Sequence, residues 1–127
     1  MKLEYVIYKG SEFTLEWYVD EKGRCIALDY FEKLPLEQKK KAFRLFKIMG
    51  DLGEILNIEK FRNEGDQIYA FKPFPDRFLC FFYKEGKIII TNAFQKKSQK
   101  LPKEEKERAL KYKEDYIIRV QKGTYYD

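Results

Sequence analysis

The run RFLCFFYKEGKIIITNAF, residues 77–94, limits the fold more than any other stretch. Its halves are rich in aromatic and β-branched residues and meet at Glu85-Gly86, so they read as strands 77–84 and 87–94 joined by a tight hairpin. The first half is apolar without a break from Phe78 to Phe82. A strand with no polar alternation has both faces covered, so it belongs inside a sheet.

Around this hairpin the rest falls into place. LEYVIY (3–8), FTLEWYV (13–19) and QIYAFK (67–72) read as further strands. A short helix fits 26–33 and ends at Pro35. A longer one fits 36–50, where Ala42, Leu45, Phe46 and Met49 recur at steps of three and four. Its other face carries Lys39, Lys40, Lys41, Arg44 and Lys47, and Gly50 and Gly53 stop it. Residues 54–66 read as connection. The last helix fits 102–122, with a stripe of Ala109, Tyr112, Tyr116, Ile117 and Val120. Tyr125-Tyr126-Asp127 then reads as a frayed end. The expected architecture is α+β: a twisted antiparallel sheet of about four to five strands, with helices packed mainly on one face.

The totals narrow the class. A chain of 127 residues is one domain by size, so 1–127 is read as a single unit. No apolar run is long enough to span a membrane. The N-terminus turns polar too early for a signal peptide. Cys25 and Cys80 sit in apolar surroundings and read as buried thiols of a cytoplasmic protein. There is no histidine and no cluster of metal-ligating residues, so neither a metal nor a cofactor is expected.

Charge supplies the functional lead. The net charge of +5 is uneven: residues 1–94 hold 16 basic and 15 acidic side chains, residues 95–127 hold 10 and 6. Basic asymmetry points to a polyanionic partner, RNA first; the competing reading is solubility. If Pro73 to Asp76 form a four-residue loop, Lys72 and Arg77 stand opposed across two strands and project to one face. Like charges there repel, and an anion between them would relieve it; the plainer alternative pairs Arg77 with Asp76. The antiparallel return of strand 87–94 brings Lys96 and Lys97 to the same end, with Lys100 close behind. Five cations from three segments would hold phosphates, and Phe74, Tyr69 or Tyr83 could stack on unpaired bases.

RNA cleavage needs a base for the 2′-hydroxyl, a stabiliser for the charge on phosphorus and an acid for the departing 5′-oxygen. Without histidine the base is a lysine or a carboxylate. Lys72 is the candidate, because neighbouring cations disfavour its charged form. Arg77 cannot titrate usefully and is the candidate stabiliser. Tyr83, Lys96 and Lys97 are candidates for the acid.

The order DEKGR…ALDYFEKLP, then IYAFKPFPDRFLCFFYKEGKIIITNAFQKKSQKLPKEEKERA, resembles the HigB-like branch of the RelE/ParE toxin superfamily over roughly residues 13–120. These are toxins of type II toxin–antitoxin modules, often phage-derived. The resemblance implies a RelE-like fold and a ribosome-dependent mRNA endoribonuclease silenced by a small helix-turn-helix antitoxin. It implies that Lys72 is an acid–base or phosphate-contacting residue and that Arg77 binds the scissile phosphate. Lys96, Lys97 and Lys100 match the family's basic segment after the last strand. Ala70 stands where a second lysine is expected, Leu101 replaces a threonine before the helix proline, and no tyrosine follows Lys100 at the catalytic position. The tyrosine stripe of a loosely packed last helix is a candidate antitoxin contact. Two rivals stay open: a non-catalytic binding module on the same fold (a ParE-like gyrase inhibitor or an inactive toxin), and a phage structural or assembly protein.

Overall fold

In the computed structural model, which describes residues 5–126, the hairpin forms as β5 (Asp76–Tyr83) and β6 (Lys87–Gln95). Glu85 and Gly86 both take positive φ at its turn. Four more strands precede it: β1 (Val6–Lys9), β2 (Thr14–Trp17), β3 (Phe61–Asn63) and β4 (Tyr69–Phe71). The helices are α1 (Ile26–Glu32), α2 (Leu36–Leu52) and α3 (Lys103–Gln121). Residues 3 and 4 of the first expected strand lie outside the described residues.

The α+β reading holds, with three differences in detail. The sheet has six strands in the order β1-β2-β6-β5-β4-β3. It is mixed, because β2 runs parallel to β6 with Leu15 beside Ile88 and Trp17 beside Ile90. The chain between them carries two helices and three strands, so β2 arrives at β6 by a long crossover rather than a hairpin. Finally, the helices cover both faces. Phe78, Cys80, Ile88 and Ile90 pack with Ala42, Phe46 and Met49 on the α1–α2 side. Leu79, Phe81 and Ile89 pack with Ala109 and Tyr116 on the α3 side. The apolar run of β5 demands that arrangement, since its alternate side chains enter two separate cores.

The segment read as connection contains β3, whose three residues are too short to show a period. Gly50 does not end α2; the cap is Gly53, in the left-handed conformation. Gly50 instead gives room to the turn before β2. Its carbonyl accepts the backbone N–H groups of Glu12 and Phe13 at 2.8 and 3.0 Å. A Cβ on Gly10 would stand 2.2 Å from the Gly50 carbonyl carbon.

Tyr125 and Tyr126 do not fray, and α3 does not pack loosely; Asp127, the rest of the expected frayed end, lies outside the described residues. Tyr116 is fully buried and Tyr125 almost so. The Val19 N–H donates to the Tyr125 hydroxyl at 2.9 Å, and the Tyr126 hydroxyl donates to the buried Glu16 carboxylate at 2.7 Å. Burial pushes the phenols of Tyr18, Tyr116 and Tyr125 well above the ordinary tyrosine range. The folded chain therefore keeps these protons at a pH where the unfolded chain releases them. Stability is expected to hold up to about pH 10 and to fall above it, by up to about 1.4 kcal/mol per pH unit for each such phenol. Thermal melts across that range, read beside phenolate absorbance, check this; ionisation of all ten tyrosines in the still-folded chain would contradict it.

Cys25 and Cys80 are buried free thiols, and burial pushes Cys25 up to about 12. Among the described residues, no helix is long and apolar enough to cross a membrane.

Candidate nucleic-acid interface

Four segments build one cleft on the α3 side of the sheet. Phe71 lies opposite Phe78, so Lys72 and Arg77 face each other at the next position, as the four-residue loop requires. Arg77 in turn lies beside Phe94 of β6. The backbone Lys72 N–H donates to the Lys60 carbonyl at 2.8 Å, which extends the pairing to the edge strand.

A bulge decides where Lys96 points. Leu79 pairs with Asn92 but Cys80 pairs with Ile90, so Thr91 is an extra residue. Its hydroxyl donates to the Asn92 side-chain oxygen at 2.6 Å and is 3.2 Å from the Leu79 carbonyl. The extra residue reverses the alternation of the strand, so Asn92 and Phe94 face α3 while Ala93 faces α2. Asn92 donates to the Glu105 carboxylate at 2.9 Å, which ties the first turn of α3 to the sheet. The Lys96 N–H bonds the Pro75 carbonyl at 2.7 Å, and residues 96–102 fold over the floor of Ala70 and Phe94.

The cleft is lined by Arg62, Lys72, Arg77, Lys96, Lys97 and Lys100, with Glu64 as its one carboxylate among the described residues. None of these cations forms an ion pair with a described carboxylate. Asp76 does not neutralise Arg77. Its carboxylate is buried on the other side, accepting the Tyr30 hydroxyl at 2.5 Å and the Gln38 amide at 2.8 Å. Only the Asp76 backbone carbonyl reaches Arg77, at 3.0 Å from Nη1. The hairpin is thus anchored from one core while its cations face the other.

Burial lowers the Lys72 pKa first, and the positive charges of Arg77 and Arg62 lower it further. Burial also lowers that of Arg77. The Lys72 ammonium is oriented by the Ile58 carbonyl at 3.1 Å. The cleft itself holds only about 20 Å³ of solvent space, but it opens into a groove of about 850 Å³ along the start of α3. Glu64, Ser98, Lys100, Leu101 and Pro102 line both. The groove also carries Asp66, Glu104 and Glu107 beside Lys103 and Lys106, so the excess of cations is confined to the cleft.

The structure brings Lys72, Arg77, Lys96, Lys97 and Lys100 together and leaves three expected residues elsewhere: Phe74, Tyr83, and Tyr69, which packs against Phe61 and Phe82 on the α1–α2 side. Phe74 is exposed at the hairpin tip, on the α2 side of the cleft, and touches it only through Lys96, whose Nζ lies 5.7 Å from its ring centre. Tyr83 is not an available acid. It pairs with Lys87 at the far end of β5 and packs edge-on against Tyr116, 5.0 Å between centres. Six residues of extended chain separate it from Arg77, roughly 20 Å. Two lining residues were not expected, Arg62 and Glu64. Phe61 is followed by three polar residues, so no apolar–polar alternation marked them.

Sheet order, helices on both faces and a cation-lined cleft at the start of the last helix define a RelE-like α+β domain. Residues 29–114 match the family model described as phage derived protein Gp49-like (DUF891). The match covers more than half of the chain, which therefore belongs to this phage-derived family of RelE/HigB-type toxins. A search of curated proteins finds no significant match. Membership of a toxin family points to an antitoxin as partner.

Proposed function

We propose that the protein is a HigB-like toxin, a single cytoplasmic domain over residues 1–127. In this reading it cuts mRNA on the ribosome and is silenced by a helix-turn-helix antitoxin. The observation that carries the reading is the cleft: six cations gathered around one carboxylate, Glu64, with no ion pair among the described residues. Their mutual repulsion works against folding, and a phosphate backbone relieves it.

The chemistry follows from the side chains. Arg77 stabilises charge building on the phosphoryl oxygens. Lys72, with its pKa held down, takes the proton of the 2′-hydroxyl. The freed oxygen attacks phosphorus, and the bond to the 5′-oxygen breaks. That oxygen collects a proton from a lysine ammonium, Lys96 or Lys97, leaving a 2′,3′-cyclic phosphate and a 5′-hydroxyl. The test is induction in a bacterium followed by mapping of mRNA ends. Cuts clustered in translated codons are expected; intact mRNA in arrested cells would overturn the reading.

Glu64 is the competing base, and pH profiles separate the two. Lys72→Met is expected to slow cleavage by roughly 10²–10⁴-fold and to abolish the rise of rate with pH. Survival of that rise in Lys72→Met, with its loss in Glu64→Gln, would move the role to Glu64. Stability is expected to run the other way. The folded pKa of Lys72 lies below its unfolded value, so its charge opposes folding at neutral pH and ceases to do so as pH rises. Lys72→Met should keep or raise the melting temperature.

A second reading, a non-catalytic module such as a gyrase inhibitor, is favoured by Ala70 in the cleft floor and by a described lining without tyrosine. DNA supercoiling assays with purified gyrase address it. Inhibition there, with no RNA cut on ribosomes, would replace the first reading.

A further inference from the structure

Exposed apolar side chains gather on the side of the molecule away from the cleft floor. Leu36, Phe43, Leu52, Leu56, Ile58 and Phe74 are 38–82% exposed and lie on α2, the segment after it or the hairpin tip; of these, Phe43 and Phe74 line grooves, and Ile118 is exposed separately on α3. Isolated exposed leucines need no explanation, whereas a concentration of them marks a contact surface.

Here the apolar surface has shape and charge. One groove, about 440 Å³, has Phe31 and Phe43 between Lys39, Lys40, Arg44 and Lys47. The other, about 400 Å³, is formed by Leu45, Ile48, Ile55 and Phe74 with Lys41, Arg44 and Lys60 at its edges. Arg44 belongs to both, and no carboxylate lines either. Lys40 and Lys47 have partners on their own helix, Glu37 and Asp51. Lys39, Lys41, Arg44 and Lys60 form no ion pair among the described residues.

Three occupants can be weighed. A second copy of this chain would set cations against cations, and like charges across a contact are strongly disfavoured. Nucleic acid would find the charges and the rings of Phe31, Phe43 and Phe74, but it has nothing to match the aliphatic side of the second groove, Leu45, Ile48 and Ile55. An amphipathic helix with an apolar stripe and acidic flanks satisfies both features at once. We propose that the outer face of α2, with its two apolar grooves meeting at Arg44, docks an acidic amphipathic helix of another protein. This does not depend on the RNA-cleaving reading, since no residue of it is assigned to the chemistry.

The experiment pans the full chain against a phage-displayed library of helical peptides. Enriched sequences are expected to carry leucine or isoleucine at helical spacing, flanked by Glu and Asp. A synthetic peptide from the leading sequence should bind Arg44→Glu and Lys41→Glu about tenfold more weakly than the unaltered chain. It should bind Arg77→Ala with unchanged affinity, which separates this surface from the cleft. The proposal is overturned by no enrichment, by enriched peptides without acidic residues, or by indifference to both charge reversals. Binding of oligouridylate RNA that is lost in Arg44→Glu would assign the face to nucleic acid. Self-association lost in the same variant would assign it to a second copy.

Discussion

Arg77→Ala is expected to lower the rate of ribosome-dependent RNA cleavage by roughly 10²–10³-fold, the usual effect of removing one preorganised group from a developing oxyanion. The fold should survive. Among the described residues the Arg77 side chain makes one hydrogen bond, to the backbone carbonyl of Asp76, and the hairpin is held by Tyr30 and Gln38 on the opposite face. Melting temperature and circular dichroism should match the unaltered chain while cleavage collapses. RNA affinity should also lose part of its salt dependence, because a single-stranded backbone contact contributes about 0.7 to the slope of log K against log salt. Measured with an oligonucleotide lacking 2′-hydroxyls, binding is read without cleavage. Unchanged cleavage would remove Arg77 from the site. Lost cleavage with unchanged binding and salt slope would leave it a purely chemical role.

Replacing Tyr125 and Tyr126 together by alanine is expected to cost roughly 3–5 kcal/mol, comparable with truncating a large buried aromatic side chain. Two losses combine. Tyr125 leaves a gap against Tyr116, 4.6 Å between ring centres, and against the Arg119 guanidinium at 4.7 Å. Tyr126 takes its hydrogen bond away from Glu16, a carboxylate that is only 3% exposed. An unpartnered buried carboxylate is expensive, and Lys87 at 3.9 Å is the remaining cation near it. A fall in melting temperature of roughly 10–20 °C should follow for a domain of this size. Adding Glu16→Gln to the double variant should recover part of the loss, since the charge is then gone. A change below about 1 kcal/mol would mean that the tail rests on the surface after all.

The apolar run at 78–82 made the sheet readable, and the opposition of Lys72 and Arg77 followed from counting a four-residue loop. Both sets of neighbours are close in sequence, and local pairing is what residue patterns encode best. The parallel union of β2 with β6 was not readable, because it joins Leu15 to Ile88 across most of the chain. Arg62 and Glu64 were hidden for a different reason. Their strand has three residues, and its identity comes from pairing with β4, not from its own composition. The bulge at Thr91 left no mark either, although it sets which face Phe94 occupies. The tail was misjudged because tyrosines beside a terminus look the same whether they dock or dangle; the buried Glu16 that receives one of them sits 110 residues earlier.

The tail and the crossover have a consequence for how such a protein is made. Strand β2 has no neighbour on its inner side until β6 has been synthesised, and Glu16 waits for the hydroxyl of Tyr126, 110 residues later. While the chain is still threaded through a ribosome, its central sheet is incomplete and the roof of the cationic cleft, residues 96–102, is missing or unsupported. The cationic cleft is therefore completed only after β6 and the segment behind it have emerged, later than any other strand of the sheet.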